Sequence, residues 1–137
     1  MLPELAFRLA LAGLLILSGW ALWAVLNRSA LKRAGVQLPI LPGYRSGRPA
    51  ILYFTTPTCA PCRTVQRPAL EALKQRLGEG LQVLEVDASR RTDLADAWGV
   101  LSVPTTFVID AGGRPRHVNH GVATTEKLFD QLKEIAK

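Results

Sequence analysis

The chain has 137 residues, enough for one ordinary domain and a small additional segment. Its net charge of +6 comes from 17 Lys and Arg residues against 11 Asp and Glu residues. The excess lies in residues 1–48, because residues 49–137 carry 11 basic and 10 acidic side chains. This second part has no basic stripe interleaved with aromatic residues, so we expect no nucleic-acid binding.

The first predicted element is a membrane-spanning helix. Residues 9–26 form an uncharged run of 18 residues, close to the minimum length that crosses about 30 Å of hydrocarbon. Trp20 and Trp23 lie near the end of this run, where aromatic side chains favour the membrane interface. The alternative is a cleaved signal peptide, but Arg28 stands where a small residue would be needed for cleavage. We therefore expect residues 1–26 to be an uncleaved single-pass anchor that contacts the lipid bilayer.

Basic residues determine the expected orientation of this anchor. Arg28, Lys32 and Arg33 follow the apolar run, whereas one arginine and the terminal amine precede it. The positive-inside rule then favours the cytoplasmic side of the cell membrane for the rest of the chain, by a margin of about two charges. Residues 27–48 are expected to form a basic linker interrupted by Pro and Gly, with a short strand at residues 35–38.

Strands and helices alternate in the predicted domain, residues 49–137. Apolar runs predict buried strands at residues 51–55 and 81–86, and a Gly-rich turn joins two further strands at residues 105–109 and 116–120. Helices are predicted at residues 63–77, 92–98 and 124–137. The order β-α-β-α-β-β-α predicts an α/β fold with a mixed central sheet, in which the first two strands are parallel and the last two form a hairpin.

The helix predicted at residues 63–77 carries an internal proline. We expect its buried face to contain Val65, Ala69, Leu73 and Leu77, which follow a helical spacing. Pro68 removes one backbone hydrogen bond, and we expect it to kink the helix.

The chain has two cysteines, Cys59 and Cys62, in a C-x-x-C motif between the first predicted strand and the first predicted helix. This pattern is typical of a redox dithiol, because the N–H groups and the dipole at a helix N-terminus favour the thiolate of the first cysteine. A structural disulfide or half of a zinc site is the alternative. A loop this short would restrict the unfolded chain little, and a zinc site normally needs four ligands.

A second motif, Ser102-Val103-Pro104-Thr105, begins the third predicted strand. Alone it is a weak signal, but it follows the C-x-x-C motif and an Asp87 that ends the second strand, and it precedes a Gly-centred hairpin. In this combination and order, residues 48–137 resemble the thioredoxin family, with its thioredoxin-like fold.

The resemblance implies a role for each residue that matches the family motif. Cys59 would be the nucleophile that forms a mixed disulfide with the substrate, and Cys62 would be the thiol that resolves it. Pro104 would be the cis-proline facing the dithiol, Val103 would pair with the backbone of the bound substrate, and Gly121 would border the substrate groove. No metal and no cofactor other than the Cys59–Cys62 disulfide is expected.

Two departures from the family pattern concern proton chemistry. Thr58 stands where the family usually has an aromatic residue, and Tyr53 stands where its cytosolic members have a buried acid. A tyrosine with a pKa near 10 is no base at neutral pH. Glu85 is a candidate for that role, and the alternative is that Glu85 lies at a solvated strand edge.

His120 immediately precedes Gly121 and is a candidate for tuning the pKa of Cys59, because an imidazolium stabilises a neighbouring thiolate. A solvated loop histidine is the alternative. His117 and His120 could suggest a metal site, but residues three apart on a strand point to opposite faces, which disfavours joint coordination. A copper or zinc site formed by Cys59, Cys62 and one histidine is a further alternative.

The sequence thus predicts a membrane-tethered thiol–disulfide oxidoreductase that reduces or exchanges protein disulfides. Ala60-Pro61 resembles the Gly-Pro dipeptide of reducing family members and lacks the histidine found in strongly oxidising relatives. The expected partners are protein disulfide or thiol clients and an upstream thiol reductant, and we expect a monomer. A disulfide-forming oxidase and a non-catalytic module that binds thiols or metal are the alternatives.

Overall fold

The structure, a computed structural model, describes residues 2–35, 41 and 43–137. Within these described residues, four α-helices and four strands follow one another, with a five-residue π-helix before the second α-helix. They are α1 (Leu2–Gly35), β1 (Ala50–Thr55), the π-helix (Cys62–Gln66), α2 (Arg67–Leu77), β2 (Gln82–Asp87), α3 (Thr92–Ala97), β3 (Thr105–Ile109), β4 (Pro115–His120) and α4 (Thr125–Ile135). The predicted element order is confirmed.

Helix α1 is long and apolar enough to cross a membrane. The most apolar 18-residue window within the segment Pro3–Ser29 has a mean hydropathy of 2.2, and none of that window is buried against the rest of the protein. The helix extends beyond the uncharged run to Gly35, into the segment expected to be a linker. The rest of the predicted strand at residues 35–38 lies outside the described residues, and the boundaries of the anchor and linker stay a prediction.

The central sheet is mixed and has the strand order β2-β1-β3-β4. β1 and β2 are parallel, as expected for two strands joined by a helical crossover. β3 is antiparallel to both β1 and β4. The predicted parallel pair and hairpin are therefore confirmed, and β1 lies in the interior of the sheet with every residue buried.

Side chains of β1 alternate between two hydrophobic clusters on opposite faces of the sheet. Leu52 and Phe54 join the cluster that contains Trp98 and Phe107, whose rings pack edge to face with their centroids 4.9 Å apart. Ile51 and Tyr53 join the other cluster, which contains both cysteines and the buried faces of α2 and α4. The dithiol is therefore part of a packed core on one face of the sheet.

The predicted burial of β2 is wrong. Only Val86 is buried within this strand, and Glu85 is exposed. β2 is an edge strand of the sheet and has a neighbouring strand on one side only. A continuous apolar run predicts instead an interior strand whose two faces are both covered. Its apolar composition alone did not distinguish the edge from the centre.

The predicted buried face of the first domain helix is also wrong in part. Leu73 is buried, but Val65 is 49% exposed, and Gln66 and Leu70 are buried instead. In the π-helix the Arg67 N–H bonds to the carbonyl of Cys62, five residues earlier. One turn thus takes an additional residue, which puts a spacing counted at 3.6 residues per turn out of register. The turn directly precedes Pro68, which lies at the start of α2, where a missing N–H is tolerated.

Candidate active site

The two cysteines form a disulfide at the start of the helix that follows β1. Cys59 and Cys62 are bonded, with their Cα atoms 5.3 Å apart. Cys59 is 9% exposed, whereas Cys62 is fully buried. The side chains of Thr58, Ala60 and Pro61 around them are exposed. Cys59 is thus the sulfur that an outside molecule can reach, and Cys62 can react only with Cys59.

Backbone N–H groups of the first helical turn point towards Cys59. The N–H of Cys62 donates to Sγ of Cys59 at 3.3 Å, and the N–H of Arg63 donates to the Cys59 carbonyl at 3.4 Å. When the disulfide is reduced, this donor and the positive end of the helix dipole favour the Cys59 thiolate over the thiol. The arrangement can therefore supply an activated sulfur nucleophile.

A proline loop and a glycine turn, both predicted from the sequence, are joined to each other. The Val103-Pro104 peptide bond is cis, as the resemblance implied. Val103 packs against the cluster that contains both cysteines, and the N–H of Gly121 donates to the Pro104 carbonyl at 2.8 Å. Gly121 has φ of +86° with open space where a Cβ would lie, so the backbone conformation, not crowding, favours glycine there.

Tyr53 lies beneath the dithiol. It is 1% exposed, and its hydroxyl donates to the carbonyl of Cys62 at 3.2 Å. Burial raises the pKa of the Tyr53 hydroxyl above its ordinary value of 10.0. The side chain is thus protonated at neutral pH and acts as a hydrogen-bond donor that holds the backbone of the resolving cysteine.

Glu85 lies at the exposed edge of the sheet, which was the alternative considered for it. It is the register partner of Tyr53 on β2, yet its carboxylate points to the surface and pairs with Arg67 at 2.9 Å. An exposed and paired carboxylate is not the buried base that the family pattern provides. This interpretation of Glu85 is therefore not supported by its position.

His120 is exposed at the end of β4, directly before Gly121. His117 is partly buried on the same strand and lies 3.5 Å from a carboxylate oxygen of Glu134. Within the described part of the chain, no three His, Cys, Asp or Glu side chains cluster in a way that could hold a metal ion. The roles expected of His120 and Glu85 stay predictions.

Gln66 is a site residue that the sequence interpretation missed. It is fully buried, and both ends of its amide bond to the backbone of Ala123: Nε2 donates to the carbonyl at 3.1 Å, and Oε1 accepts from the N–H at 2.8 Å. Gln66 thereby ties the helix that carries the dithiol to the segment after Gly121. The available signal was a polar residue four positions after Cys62, within an otherwise apolar helix face.

The family model described as Thioredoxin matches residues 44–134. This chain belongs to the thioredoxin family. Among curated relatives, it is 29% identical over 96 residues to the chloroplastic thioredoxin Y of Oryza sativa, covering 68% of this chain and 56% of that protein. It is 33% identical over 92 residues to thioredoxin of Borreliella burgdorferi, covering 67% of this chain and 77% of that protein. The chain thus spans little more than half the length of the rice thioredoxin.

Solved thioredoxin structures have the same fold as this domain. Fasciola hepatica thioredoxin superposes with a TM-score of 0.56 at 27% identity, covering 66% of this chain and 83% of that one. A malaria-parasite thioredoxin-2 gives a TM-score of 0.62 at 21% identity, covering 66% of this chain and 86% of that one. The thioredoxin domain and its disulfide-bonded cysteine pair together make this a thiol–disulfide oxidoreductase site.

Proposed function

We propose that the chain is a membrane-tethered thioredoxin that reduces protein disulfides. The observation that carries the proposal is the asymmetric disulfide, with an accessible Cys59 and a fully buried Cys62 at the start of a helix. The apolar helix α1 supports the tether. Ala60-Pro61 supports the reducing direction, because this dipeptide places no histidine beside the thiolate to stabilise the reduced form.

The reaction transfers two electrons from the dithiol to a client disulfide. The Cys59 thiolate attacks one client sulfur, so that a mixed disulfide forms and the other client sulfur leaves as a thiolate that takes a proton from water. The Cys62 thiol then gives its proton to water, and its thiolate attacks Sγ of Cys59. This step forms the Cys59–Cys62 disulfide and releases the second client thiolate. A thiol reductant upstream must return two electrons to the domain before another cycle.

The substrate groove would be formed by the backbone beside the dithiol. Val103 precedes the cis-proline and packs against the cysteine cluster, and Gly121 is bonded to the same loop. An extended client segment would pair with the backbone of Val103 and pass the glycine turn. This mode suits protein clients, because it recognises backbone and not a particular side chain.

The redox potential of the dithiol tests the direction of the reaction. We expect equilibration of the full chain with glutathione to give a potential close to the value of about −270 mV that is typical of thioredoxin. A potential near the value of about −120 mV that is typical of a strong disulfide-forming oxidant would contradict the reductase and favour the oxidase.

Trapping of clients tests the activity itself. A Cys62→Ser variant should accumulate mixed disulfides on Cys59 in cells, because the resolving thiol is gone, and reducing agent should release the clients. The Cys59→Ser/Cys62→Ser variant is the matched control and should trap none. Absence of adducts from Cys62→Ser, together with tight metal binding by the unaltered chain, would favour the non-catalytic module.

A further inference from the structure

Leu101 is the most exposed large apolar side chain in the described part of the thioredoxin domain. It is 92% exposed, whereas the next such residues, Val65 and Val122, are 49% and 41% exposed. It lies immediately before the Ser102-Val103-Pro104 loop, beside the predicted substrate groove. One exposed leucine needs no explanation by itself, so whether Leu101 belongs to a contact surface depends on the side chains around it.

The carboxyl-terminal part of α1 lies next to this leucine. A groove of about 350 Å³ separates the helix from the domain. Trp23, Leu26 and Asn27 line it from α1, and Leu101, Ser102 and His120 line it from the domain. Trp23 and Leu26 remain 58% exposed, so the groove is open and its apolar side chains are not covered by the protein.

The length of the apolar run places this groove at the boundary of a bilayer. Residues 9–26 span about 27 Å as a helix at 1.5 Å per residue, close to the hydrocarbon thickness of about 30 Å. Trp23 and Leu26 therefore lie at one end of the hydrocarbon layer, where tryptophan is favoured. Arg28 is exposed just beyond them, at the level where anionic headgroups attract basic side chains.

We propose that the surface formed by Leu101, Ser102 and His120, the loop face, rests on the interfacial layer of the bilayer, with Leu101 in contact with lipid. The proposal rests on the membrane tether of the proposed function. The open groove joins Leu101 to side chains of the spanning helix at the depth of the interface, so the loop face is continuous with the lipid-facing surface of α1. The Val103-Pro104 loop and the dithiol are then held next to the membrane surface, where their clients are disulfides in protein segments close to the bilayer.

Fluorescence quenching by spin-labelled lipids tests this placement in the full chain. In a Cys59→Ser/Cys62→Ser background, Leu101→Cys is labelled with bimane and reconstituted into vesicles of phosphatidylcholine and phosphatidylglycerol. The vesicles carry a nitroxide either on the headgroup or at carbon 5 of the acyl chain. Gln75→Cys, exposed on α2, is the matched control, and Leu17→Cys within α1 reports insertion of the helix.

We expect the probe at position 101 to be quenched several-fold more strongly than the probe at position 75, by both nitroxides, while the probe at position 17 confirms insertion. Equal quenching at positions 101 and 75 overturns the proposal, as does absence of quenching at position 17. Protection of position 101 from aqueous iodide without lipid quenching also overturns it, because another protein or a second copy then covers the loop face. Disulfide reduction by the unaltered chain in the same vesicles is measured separately, so a failure of the reductase is distinguished from a failure of the lipid contact.

Discussion

Two tyrosines show how differently the chain uses buried hydroxyl groups. Tyr53 donates to the Cys62 carbonyl at 3.2 Å, whereas the buried hydroxyl of Tyr44 has no hydrogen-bond partner among the described residues. Burial raises the pKa of both hydroxyls above 10.0, so both are protonated at neutral pH. The tyrosine at the position of the family's acid therefore supplies a structural hydrogen bond and no base.

This difference predicts that removal of the two hydroxyl groups changes the free energy of unfolding by different amounts. Tyr53→Phe should lower the free energy of unfolding by about 1 kcal/mol, because it deletes a buried hydrogen bond. Tyr44→Phe is the matched control and should be neutral or slightly stabilising, because the described residues offer the Tyr44 hydroxyl no hydrogen bond that could be lost. Urea unfolding of the oxidised proteins measures both. An equal loss in the two variants would mean that the bond to Cys62 contributes nothing of its own.

At the scale of elements, the π-helix decides which side chains of the dithiol helix are buried. Its additional residue directs Gln66 into the core, where both amide groups bond to Ala123. The helix that carries Cys62 and the segment after Gly121 are thereby joined across 57 positions of sequence. Gln66 thus positions these elements. Among the described residues, it makes no hydrogen bond to either sulfur.

Removal of this amide should destabilise the domain and loosen the substrate groove. Gln66→Leu keeps the volume but leaves the N–H and the carbonyl of Ala123 unpaired, which should cost about 2–4 kcal/mol. Gln75→Leu, on the exposed face of α2, is the control and should change stability by less than about 0.5 kcal/mol.

Urea unfolding measures the loss of stability in each variant. For Gln66→Leu, the kinetics of reduction of a disulfide peptide should show a raised KM with little change in kcat. Stability equal to that of Gln75→Leu would contradict the role of Gln66 in joining the dithiol helix to the segment after Gly121. A fall in kcat without a change in KM would place Gln66 in the chemistry instead.

At the scale of the whole molecule, charge asymmetry about the proposed membrane anchor α1 predicts the side of the membrane on which the domain would lie. Three basic residues follow the apolar run closely, and the positive-inside rule favours the cytoplasm for that end. The domain itself is nearly neutral, so it adds little to this preference.

Thiol labelling measures the side directly. After mild reduction with a membrane-permeant reagent, Cys59 in intact cells should resist a membrane-impermeant maleimide and should react only once the membrane is permeabilised. The Cys59→Ser/Cys62→Ser variant controls for labelling of other proteins. Labelling in intact cells would place the domain outside and would change the expected reductant and clients.

The fold and the chemically reactive residues were predictable because their signals are local. A C-x-x-C motif between a strand and a helix and a proline at a strand start are written in a few consecutive residues. The alternation of apolar runs with turn residues was sufficient for the element order and for the parallel and antiparallel pairs. Burial was less predictable. β2 was expected to be buried but is an edge strand. Its apolar composition is compatible with either position, because composition does not specify the neighbouring strands.

The thioredoxin domain, its two cysteines, its proline loop and the apolar helix before it were therefore readable from the amino-acid sequence. Three contacts became visible only in the folded chain: Glu85 faces solvent with Arg67, Gln66 bonds to Ala123, and Leu101 lines the same groove as Trp23. These contacts join residues that are distant in the chain, and their free energies depend on which surfaces pack against each other in the folded protein. Local propensity and residue spacing do not contain this information. The reactive residues could therefore be predicted, but the side chains that surround them could not.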